Sequence, residues 1–223
     1  TLGYLPEALF NFVALLGWNP GDDREILTKD ELIAAFSLEK VQKSGAIFDV
    51  VKLDWMNGEY IRTKSVAELT QLCLPHLSRY LGMSLPDTTF PQTYLERIVA
   101  LEQPRLKKLS EIGERTEYFF RHPAHDHELL RWKTMSDDAL LASLDQSATL
   151  LSRLNSSNTR EEIESLFLGE IGAGDKGALL WPLRVALSGK KASPGPFDIL
   201  AILGPKEATA RISRARLTIE PLK

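Results

Sequence analysis

Three histidines and one aspartate lie within the six-residue stretch His122–His127. Imidazole and carboxylate groups are common ligands of zinc and other transition metals, so this stretch is a candidate metal site. Pro123 interrupts any helix here, and no distant cysteine or second cluster of histidines and acids completes a ligand set. We therefore predict a solvated loop and assign no residue as a metal ligand.

A glycine-rich stretch, Gly169–Gly177, resembles a phosphate-binding loop. A Walker loop needs a lysine directly after its second spaced glycine, and then a serine or threonine that holds magnesium. Here Asp175 stands before Lys176, Gly177 follows it, and no strand is predicted upstream. The stretch is better interpreted as a connection between helices that leaves Lys176 exposed at the N-terminus of the next helix.

The stretch Lys133–Asp137 nearly matches the lysine-rich ATP loop of class I aminoacyl-tRNA synthetases, but it lacks the second lysine. Asp137 would repel phosphate, and no His-x-Gly-His occurs in the chain. Ser136 is therefore interpreted as a helix N-cap. The single cysteine, Cys73, is expected in the core. No Ser/His/Asp or Cys/His set has a supporting spacing, so the sequence predicts no catalytic residue.

Charge is unevenly distributed along the chain, although the net charge is only −3. Residues 2–40 contain seven acidic and three basic side chains, which gives them a net charge of −4. Residues 190–223 contain seven basic and three acidic side chains, which gives them a net charge of +4. A second basic cluster comprises Arg97, Arg105, Lys107 and Lys108. This asymmetry fits a chain that meets a polyanion with one part, and it also fits solvated helix faces.

Helices must position most of these side chains, because apolar residues recur at i, i+3 and i+4 spacing through most of the sequence. We predict an all-α fold with a first helix over residues 5–17. Further helices are predicted to start at capping residues or prolines, namely Thr28, Ser65, Pro91, Pro104, Ser136, Thr159 and Pro205, with another over Phe197–Leu203. The helix from Pro104 is expected to run to Ile112. Short extended pieces are expected around Phe119–Phe120, and residues 193–196 form a loop.

The length of 223 residues fits one elongated domain or two small ones, and 43% hydrophobic residues suffice for a sizeable core. No apolar run reaches the roughly 18 residues that span a bilayer. We also expect no signal peptide, because residues 1–7 contain no basic region before an apolar stretch. One cysteine allows no intrachain disulfide. We expect a cytoplasmic, monomeric protein with no membrane partner.

Three stretches together resemble the bacterial glutamyl-tRNA synthetase family. They are Gly3–Trp18, Phe48–Arg62, and Leu180–Gly189 followed by Ser193–Phe197, with Ile212–Leu217 near the end of the chain. The resemblance covers essentially the whole chain in the right order, and it corresponds to the C-terminal half of that family. The Rossmann catalytic domain and both ATP motifs are absent, so we do not expect the chain to aminoacylate tRNA alone.

The resemblance implies a division of labour along an all-helical chain. Residues 1–90 would form a helical stem-contact unit at the inner side of the tRNA, and residues 91–223 an α-helical cage that binds the anticodon. The partners it implies are glutamate tRNA and the N-terminal catalytic domain. The full-length enzyme would attach glutamate to that tRNA, with ATP and magnesium in the catalytic domain and no cofactor in this chain.

Two arginines carry the anticodon contacts that the resemblance implies. The first lies in the family's Pro-Leu-Arg stretch and maps to Arg184. The second lies in the family's helix before a Lys-Thr-Leu-like run and maps to Arg105. An arginine at the third anticodon base favours cytosine, so Arg105 indicates the strict glutamate type and not the relaxed type that also accepts glutamine tRNA. Other cations assigned to the tRNA surface are Arg97, Lys107, Lys108, Lys176, Arg211 and Arg214. Trp181 and Phe197 are expected in the core.

Two other classes of function remain open. A non-catalytic, helical protein-interaction scaffold derived from a synthetase is favoured by the acidic N-terminal segment. A metal-dependent hydrolase would depend on His122–His127, and it has the weaker support because the ligand set there is incomplete. Binding of tRNA that weakens with salt separates the first interpretation from both of these.

Overall fold

The computed structural model describes residues 2–42 and 47–219. Within these ranges the chain is helical, with one isolated antiparallel β-bridge between Trp18 and Val41 and no strand. The prediction of an all-α fold is confirmed. The helices are α1 Pro6–Gly17, α2 Lys29–Ala35, α3 Val50–Thr63, α4 Val66–Leu81, α5 Gln92–Glu102, α6 Ile112–Thr116, α7 His127–Leu130, α8 Asp137–Leu151, α9 Arg160–Ile171, α10 Lys176–Ser188 and α11 Pro196–Leu217.

Local capping explains where most of these helices begin. Thr28 and Thr159 form complete capping boxes with Glu31 and Glu162, as predicted. Ser136 caps α8, and the Ser65 hydroxyl accepts a hydrogen bond from the backbone of Glu68 at the start of α4. Pro91 is the N-cap of α5 and not its first helical residue, one position from the prediction.

The helix predicted over Pro104–Ile112 is wrong. The chain instead forms 3₁₀ turns at Gln103–Arg105 and Leu109–Glu111, with extended backbone at Leu106 and Lys108 between them. The backbone groups here bond to distant segments, because the Leu109 N–H donates to the Gly3 carbonyl (2.9 Å) and the Lys107 carbonyl accepts from Asn57. These bonds replace intrahelical ones, and sequence periodicity alone does not reveal them.

The extended piece predicted around Phe119–Phe120 is also wrong. Residues Glu117–Phe119 form a 3₁₀ turn, and Phe120 has helical backbone angles. Both Tyr118 and Phe119 are buried, with ring centroids 4.5 Å apart. A run of aromatic residues resembles a strand in sequence, but here the burial of neighbouring rings is achieved by a tight turn.

The chain divides into two compact units, residues 1–114 and residues 115–223. The predicted domain boundary near residue 90 falls inside the first unit, because α5 packs against α4. The assignment of stem contact to residues 1–90 and of anticodon binding to residues 91–223 stays a prediction. Glu220 and Lys223, which contribute to the net charge of residues 190–223, lie outside the described residues.

In the first unit, α1 packs against α3 and α2. Phe12, Leu53 and Met56 form one buried cluster, and Trp18, Leu27 and Leu32 form another. Buried polar side chains join these helices to the loops. The Asn11 side chain accepts from the Leu27 N–H at 2.8 Å, and the Asn57 side chain accepts from the Leu5 N–H at 2.8 Å. In α4, Cys73 is buried as predicted.

In the second unit, α10 packs against α7, α8, α9 and α11. Pro182 lies inside α10 and removes the N–H that would bond to the Ala178 carbonyl. The Ser143 hydroxyl of α8 donates to that carbonyl at 2.8 Å, so the proline leaves no orphan acceptor there. Non-helical backbone at Gly204 divides α11, which confirms the predicted break before Pro205. None of the described helices combines the length and apolarity that a bilayer crossing requires.

Candidate nucleic-acid interface

The C-terminal end of α10 positions Arg184. Gly189 ends the helix with a left-handed backbone (φ 67°), and its N–H donates to the Val185 carbonyl at 2.7 Å. The chain then turns back alongside the helix, and the Lys191 carbonyl accepts a hydrogen bond from Arg184 Nη2 at 3.1 Å. The loop that follows the helix therefore orients the guanidinium.

Trp181 supports the same guanidinium from the previous helical turn. The Arg184 guanidinium carbon lies 4.5 Å from the centre of the Trp181 ring, which is within cation–π distance. The Trp181 indole N–H donates to the Leu129 carbonyl at 2.8 Å, so the ring cannot rotate freely. Arg184 is half-buried. The Trp181 ring on one face and the Lys191 carbonyl at one edge set the plane of its guanidinium.

A second indole extends this arrangement. The rings of Trp132 and Trp181 are 5.5 Å apart, and Lys133 Nζ lies 4.9 Å from the centre of the Trp132 ring. Trp132 lies directly on Gly177, where a side chain would collide with the indole. Two neighbouring indole rings beside α10 thus each carry a cation, Arg184 on Trp181 and Lys133 on Trp132. Nucleic-acid bases stack on aromatic rings and guanidinium planes of this kind.

A cavity of about 330 Å³ opens beside the end of α10. It reaches Lys190, whose Nζ lies 2.8 Å from Glu117 Oε1, and Lys190 is adjacent in sequence to the Lys191 carbonyl that orients Arg184. The volume lies within the range of small-molecule sites. The lining residues are Glu117, Tyr118, Arg121, His122, Pro123, Ala124, Ser188, Gly189 and Lys190.

In the first unit, Arg105 lies in the 3₁₀ turn that follows α5. Its Nη1 is 3.2 Å from Glu102 Oε1, and the Glu102 side chain is only 1% exposed whereas Arg105 is 35% exposed. Gln103 fixes the turn, because its side-chain amide donates to the carbonyls of Ile61 (3.0 Å) and Lys64 (2.9 Å) at the end of α3. Arg105 is therefore a partly exposed cation above a buried carboxylate.

Lys107 and Lys108 follow in the segment of extended backbone and differ in what they contact. Lys107 is exposed, and its backbone is bonded on both sides, the N–H to Glu111 and the carbonyl to Asn57. Lys108 Nζ lies 3.2 Å from Asp54 Oδ2 and 5.8 Å from the centre of the Tyr4 ring. Lys107 is thus available to a ligand, whereas Lys108 is engaged in an internal network.

In the Tyr4–Asp54–Lys108 network, the pKa values of Asp54 and Tyr4 are shifted in opposite directions. Burial opposes ionisation of Asp54, but hydrogen bonds from Tyr4 and Lys108 outweigh it, and its pKa is lowered. Burial and the hydrogen bond to Asp54 raise the pKa of Tyr4 to about 12, so its hydroxyl remains a donor, with the oxygens 2.5 Å apart. The network fastens the segment that carries Lys107 and Lys108 to α3.

The other predicted cations have different surroundings. Arg97 on α5, Lys176 at the first position of α10 and Arg214 on α11 are exposed. Lys176 and Arg184 lie on the same helix, about 12 Å apart along its axis from the rise of about 1.5 Å per residue. Arg211 is only 2% exposed, and it bonds to Glu207 (2.8 Å) and the Leu187 carbonyl (2.6 Å). Its burial argues against the predicted tRNA contact, because the guanidinium joins α11 to α10 instead.

The three histidines at residues 122–127 face different partners. His125 Nε2 donates to the Ala186 carbonyl at 2.8 Å, His127 Nε2 lies 2.6 Å from Asp137 Oδ1, and His122 Nδ1 lies 3.3 Å from Glu207 Oε1. Burial lowers the pKa of His125, and the nearby Arg211 and Arg214 lower it further. These side chains serve as connections between helices.

The glycine-rich stretch does not fit ATP and magnesium. Asp175 caps α10 by accepting from the Gly177 N–H at 2.8 Å, so a carboxylate already occupies the anion-binding end of this helix. The same carboxylate accepts from the Trp132 indole at 3.0 Å, and its pKa is lowered by these two hydrogen bonds. Across the described residues, no group of three or more His, Cys, Asp or Glu side chains could hold a metal ion.

Sequence reasoning placed Trp181 in the core, and the structure shows it half-buried beneath Arg184. The i, i+3 spacing of these two residues on one helix was the available signal. Trp132, Lys133 and Lys190 were not predicted, because their positions depend on contacts between segments that are far apart in sequence. Phe197 is in the core as expected, and its ring lies 5.9 Å from that of Phe167.

Comparison with known proteins identifies the family. Residues 68–216 match the family model described as an anticodon binding domain. The chain belongs to this family. Residues 1–55 match a second model, described as the catalytic domain of class I tRNA synthetases (E and Q). The described part of that segment folds as α1, α2 and the start of α3, with no strand of its own.

Individual members of the family with similar sequences are glutamate–tRNA ligases. The chain is 37% identical over 220 residues to glutamate–tRNA ligase 1 of Caldanaerobacter subterraneus subsp. tengcongensis, a match that spans 98% of the chain and 45% of that ligase. It is 38% identical over 226 residues to the ligase of Clostridium tetani, covering 99% and 44% respectively. The chain thus spans less than half the length of these relatives and resembles their C-terminal part.

Two solved structures from this family have a similar fold. The glutamate tRNA ligase of Elizabethkingia meningosepticum, solved in complex with its amino acid, aligns with a TM-score of 0.79 at 29% identity, over 98% of this chain and 42% of that one. The glutamate–tRNA synthetase of Elizabethkingia anophelis aligns with a TM-score of 0.80, also at 29% identity, over 96% and 41%. The resemblance found in the sequence is confirmed at the level of family and fold.

Proposed function

We propose that this chain is the tRNA-binding, anticodon-recognising part of a glutamate–tRNA ligase. Family membership and the names of the relatives support this proposal. The observation that carries it is the half-buried guanidinium of Arg184, which Trp181 and the Lys191 carbonyl orient. One helical turn further on, Ser188 lines the cavity that Arg121 and Lys190 also reach.

The chemistry suits a base that is exposed in a single-stranded loop. Proteins read such bases through hydrogen bonds to their edges and by stacking on aromatic rings or guanidinium planes. A planar guanidinium presents several donors in a rigid fork, and cytosine offers adjacent acceptors on its pairing edge. A guanidinium whose plane is already fixed loses little side-chain entropy when it meets that edge.

A second contact is proposed in the first unit. Arg105 and Lys107 are the more accessible cations of the 105–108 segment, and Glu102 and Asn57 fix its backbone and side chains. In the proposed complex Arg105 meets the third anticodon base, and Lys107 meets phosphate. Arg97, Lys176 and Arg214 add exposed positive charge, whereas Arg211 is assigned a structural role.

Further proposals concern the whole ligase. The full-length protein would attach glutamate to glutamate tRNA with ATP and magnesium that its catalytic domain binds, and this chain would supply the recognition of the tRNA. We propose that the chain is monomeric and acts in the cytoplasm. The proposed specificity is strict for glutamate tRNA, because Arg105 is present.

Binding of fluorescently labelled glutamate tRNA tests the proposal. Arg184→Ala should weaken binding by about 1–3 kcal/mol, roughly 5- to 150-fold. The matched control is Arg153→Ala, which removes an exposed arginine of the same unit outside this surface. Binding should weaken with salt, with a log–log slope of roughly 0.7 per single-strand phosphate neutralised. Equal binding of a tRNA with an exchanged anticodon would refute anticodon recognition.

A further inference from the structure

Lys133 has a backbone conformation that a lysine rarely adopts. Its φ is 55°, and in the part of the chain that the structure describes it is the one residue other than glycine with a positive φ. A Cβ atom is unfavourable in this region, so glycine and asparagine are the usual residues there. Backbone strain of this kind is concentrated at functional sites. The conformation of Lys133 therefore points to a role for its side chain that the fold itself does not require.

The turn that carries Lys133 is held in place by hydrogen bonds. The Met135 N–H donates to the Trp132 carbonyl at 3.1 Å, and the Met135 carbonyl accepts from Arg131 Nη1 at 2.9 Å. Arg131 Nη2 lies 2.7 Å from Asp137 Oδ1, at the start of α8. Because the turn is already ordered, little backbone entropy is lost when a ligand contacts Lys133.

An aromatic ring and a carboxylate lie beside the ammonium group of Lys133. The lysine side chain is 66% exposed, and its Nζ lies 3.6 Å from Asp175 Oδ2 and 4.9 Å from the centre of the Trp132 ring. The Trp132 indole N–H donates to the same carboxylate at 3.0 Å, and the ring lies directly on Gly177. A hydrogen-bond donor, an acceptor and a fixed ring are thus grouped at one point of the surface.

This group continues the surface that orients Arg184. The steps from Lys133 Nζ to the Trp132 ring centre, to the Trp181 ring centre and to the Arg184 guanidinium carbon are 4.9, 5.5 and 4.5 Å. Proteins bind single-stranded nucleic acid on surfaces that combine cations with aromatic rings in this way. A single RNA loop can therefore contact both cations.

We infer that Lys133, with Trp132 and Asp175, forms a second recognition site, which takes another base of the tRNA loop that Arg184 contacts. The inference rests on the proposed function and adds residues to its recognition surface. The side chains of Trp132 and Lys133 are not among those that the family resemblance implied, and they come together only in the fold.

The charges at this site favour a base and not a phosphate. Hydrogen bonds from Trp132 and Gly177 lower the pKa of Asp175, so the carboxylate is ionised at neutral pH and repels a phosphate that approaches Lys133. An ammonium donor beside a carboxylate acceptor suits a base edge on which an acceptor stands next to an amino group. Adenine and cytosine present such an edge, whereas uracil has no amino group.

Binding of fluorescently labelled glutamate tRNA to variants of the chain tests the inference. Lys133→Gly and Lys133→Asn remove the ammonium group and suit the left-handed backbone, so the melting temperature should not fall. Asp175→Asn removes the charge and keeps a residue that can cap α10. The matched control is Arg153→Ala, because Arg153 and Glu170 form an exposed ion pair of nearly the same length, 3.5 Å, in the same unit.

We expect both Lys133 variants to weaken binding at least about fivefold with an unchanged salt dependence. Asp175→Asn should also weaken binding, and the control should change it less than about twofold. The effect of Lys133→Gly should disappear with a tRNA in which one adenine or cytosine of the anticodon loop is abasic. That position should differ from the one that cancels the effect of Arg184→Ala.

Equal binding by the Lys133 variants and the unaltered chain would overturn the inference. A salt slope reduced by about 0.7, together with tighter binding by Asp175→Asn, would assign Lys133 to a phosphate and would overturn it as well. Arg184→Ala is measured in the same assay. If only Arg184→Ala weakens binding, this inference fails and the proposed function stands, whereas a chain that binds no tRNA refutes both.

Discussion

The side-chain amide of Asn57 donates a hydrogen bond to the backbone carbonyl of Lys107, fifty residues further along the chain. The same side chain accepts from the Leu5 N–H, and it is completely buried. One asparagine thus joins α3, the segment before α1 and the segment that carries Arg105 and Lys107. The arrangement of the proposed anticodon contacts in this unit depends on that connection.

Asn57→Ala should lower the free energy of unfolding by about 2–4 kcal/mol, because it leaves the buried Leu5 N–H and the partly buried Lys107 carbonyl without this partner. Asn57→Asp should cost at least as much, since a carboxylate cannot donate to Lys107. Urea denaturation followed by circular dichroism measures both. Gln71→Ala, on the exposed side of α4, should change stability by less than about 0.5 kcal/mol. A loss below 1 kcal/mol for Asn57→Ala would contradict this account.

Trp181 should act on tRNA binding through Arg184. Trp181→Leu removes the ring under the guanidinium, and we expect affinity for glutamate tRNA to fall by about 1 kcal/mol, roughly fivefold. Discrimination against a tRNA with an exchanged anticodon should fall in parallel. Trp181→Phe keeps an aromatic face and should restore most of the discrimination. If Trp181→Leu weakened both tRNAs equally, the ring would have only a structural role.

Asp54 should make the first unit less stable in acid. Its folded-state pKa is below the ordinary value, so its ion pair and hydrogen bonds contribute fully above about pH 4 and are lost as the pH falls through the folded pKa. Asp54→Asn should therefore reduce the free energy of unfolding by about 1–2 kcal/mol at pH 7, and by progressively less below pH 4. Denaturation at several pH values checks this, with the exposed Asp23→Asn as the control. A difference that did not change with pH would rule out the ionic contribution.

Gly189 should tolerate no side chain. Its φ of 67° disfavours other residues, and an added Cβ would lie 2.7 Å from both the Ala124 carbonyl oxygen and Pro123 Cβ. Gly82 has nearly the same φ of 68° and nothing within 4 Å, so Gly82→Ala isolates the backbone cost of about 1–2 kcal/mol. Thermal unfolding should show a clearly larger loss for Gly189→Ala. Equal losses would show that the close approach of residues 123–124 relaxes without cost.

Features that depend on neighbours in sequence were predictable. The caps at Thr28, Ser136 and Thr159, the end of α4 at Gly82 and the break at Gly204 all follow from residues within one helical turn. The burial of Cys73 followed from its place on an apolar helix face. In each case the preferred local conformation agrees with the tertiary structure, so nothing distant overrides it.

Features that depend on distant partners were not predictable. The 104–112 segment has a helical pattern, but Asn57 and Gly3 bond to its backbone and stop a helix from forming. The sequence predicted Arg211 as a surface cation. In the fold its guanidinium is buried and donates to Glu207 on α11 and to the Leu187 carbonyl on α10. Arg184 was found through its family motif, whereas the ring that orients it became clear from the structure.

The first residues of the chain have a consequence for protein engineering. The carbonyls of Leu2 and Gly3 accept hydrogen bonds from Ser110 and Leu109, although the family models assign these two segments to different modules. If two related ligases are recombined at a crossover downstream of Gly3, Leu2 and Gly3 come from one parent. The 109–110 segment that bonds to their carbonyls then comes from the other parent. Chimeras in which residues 2–5 and 107–110 come from the same parent should therefore be the ones that remain functional.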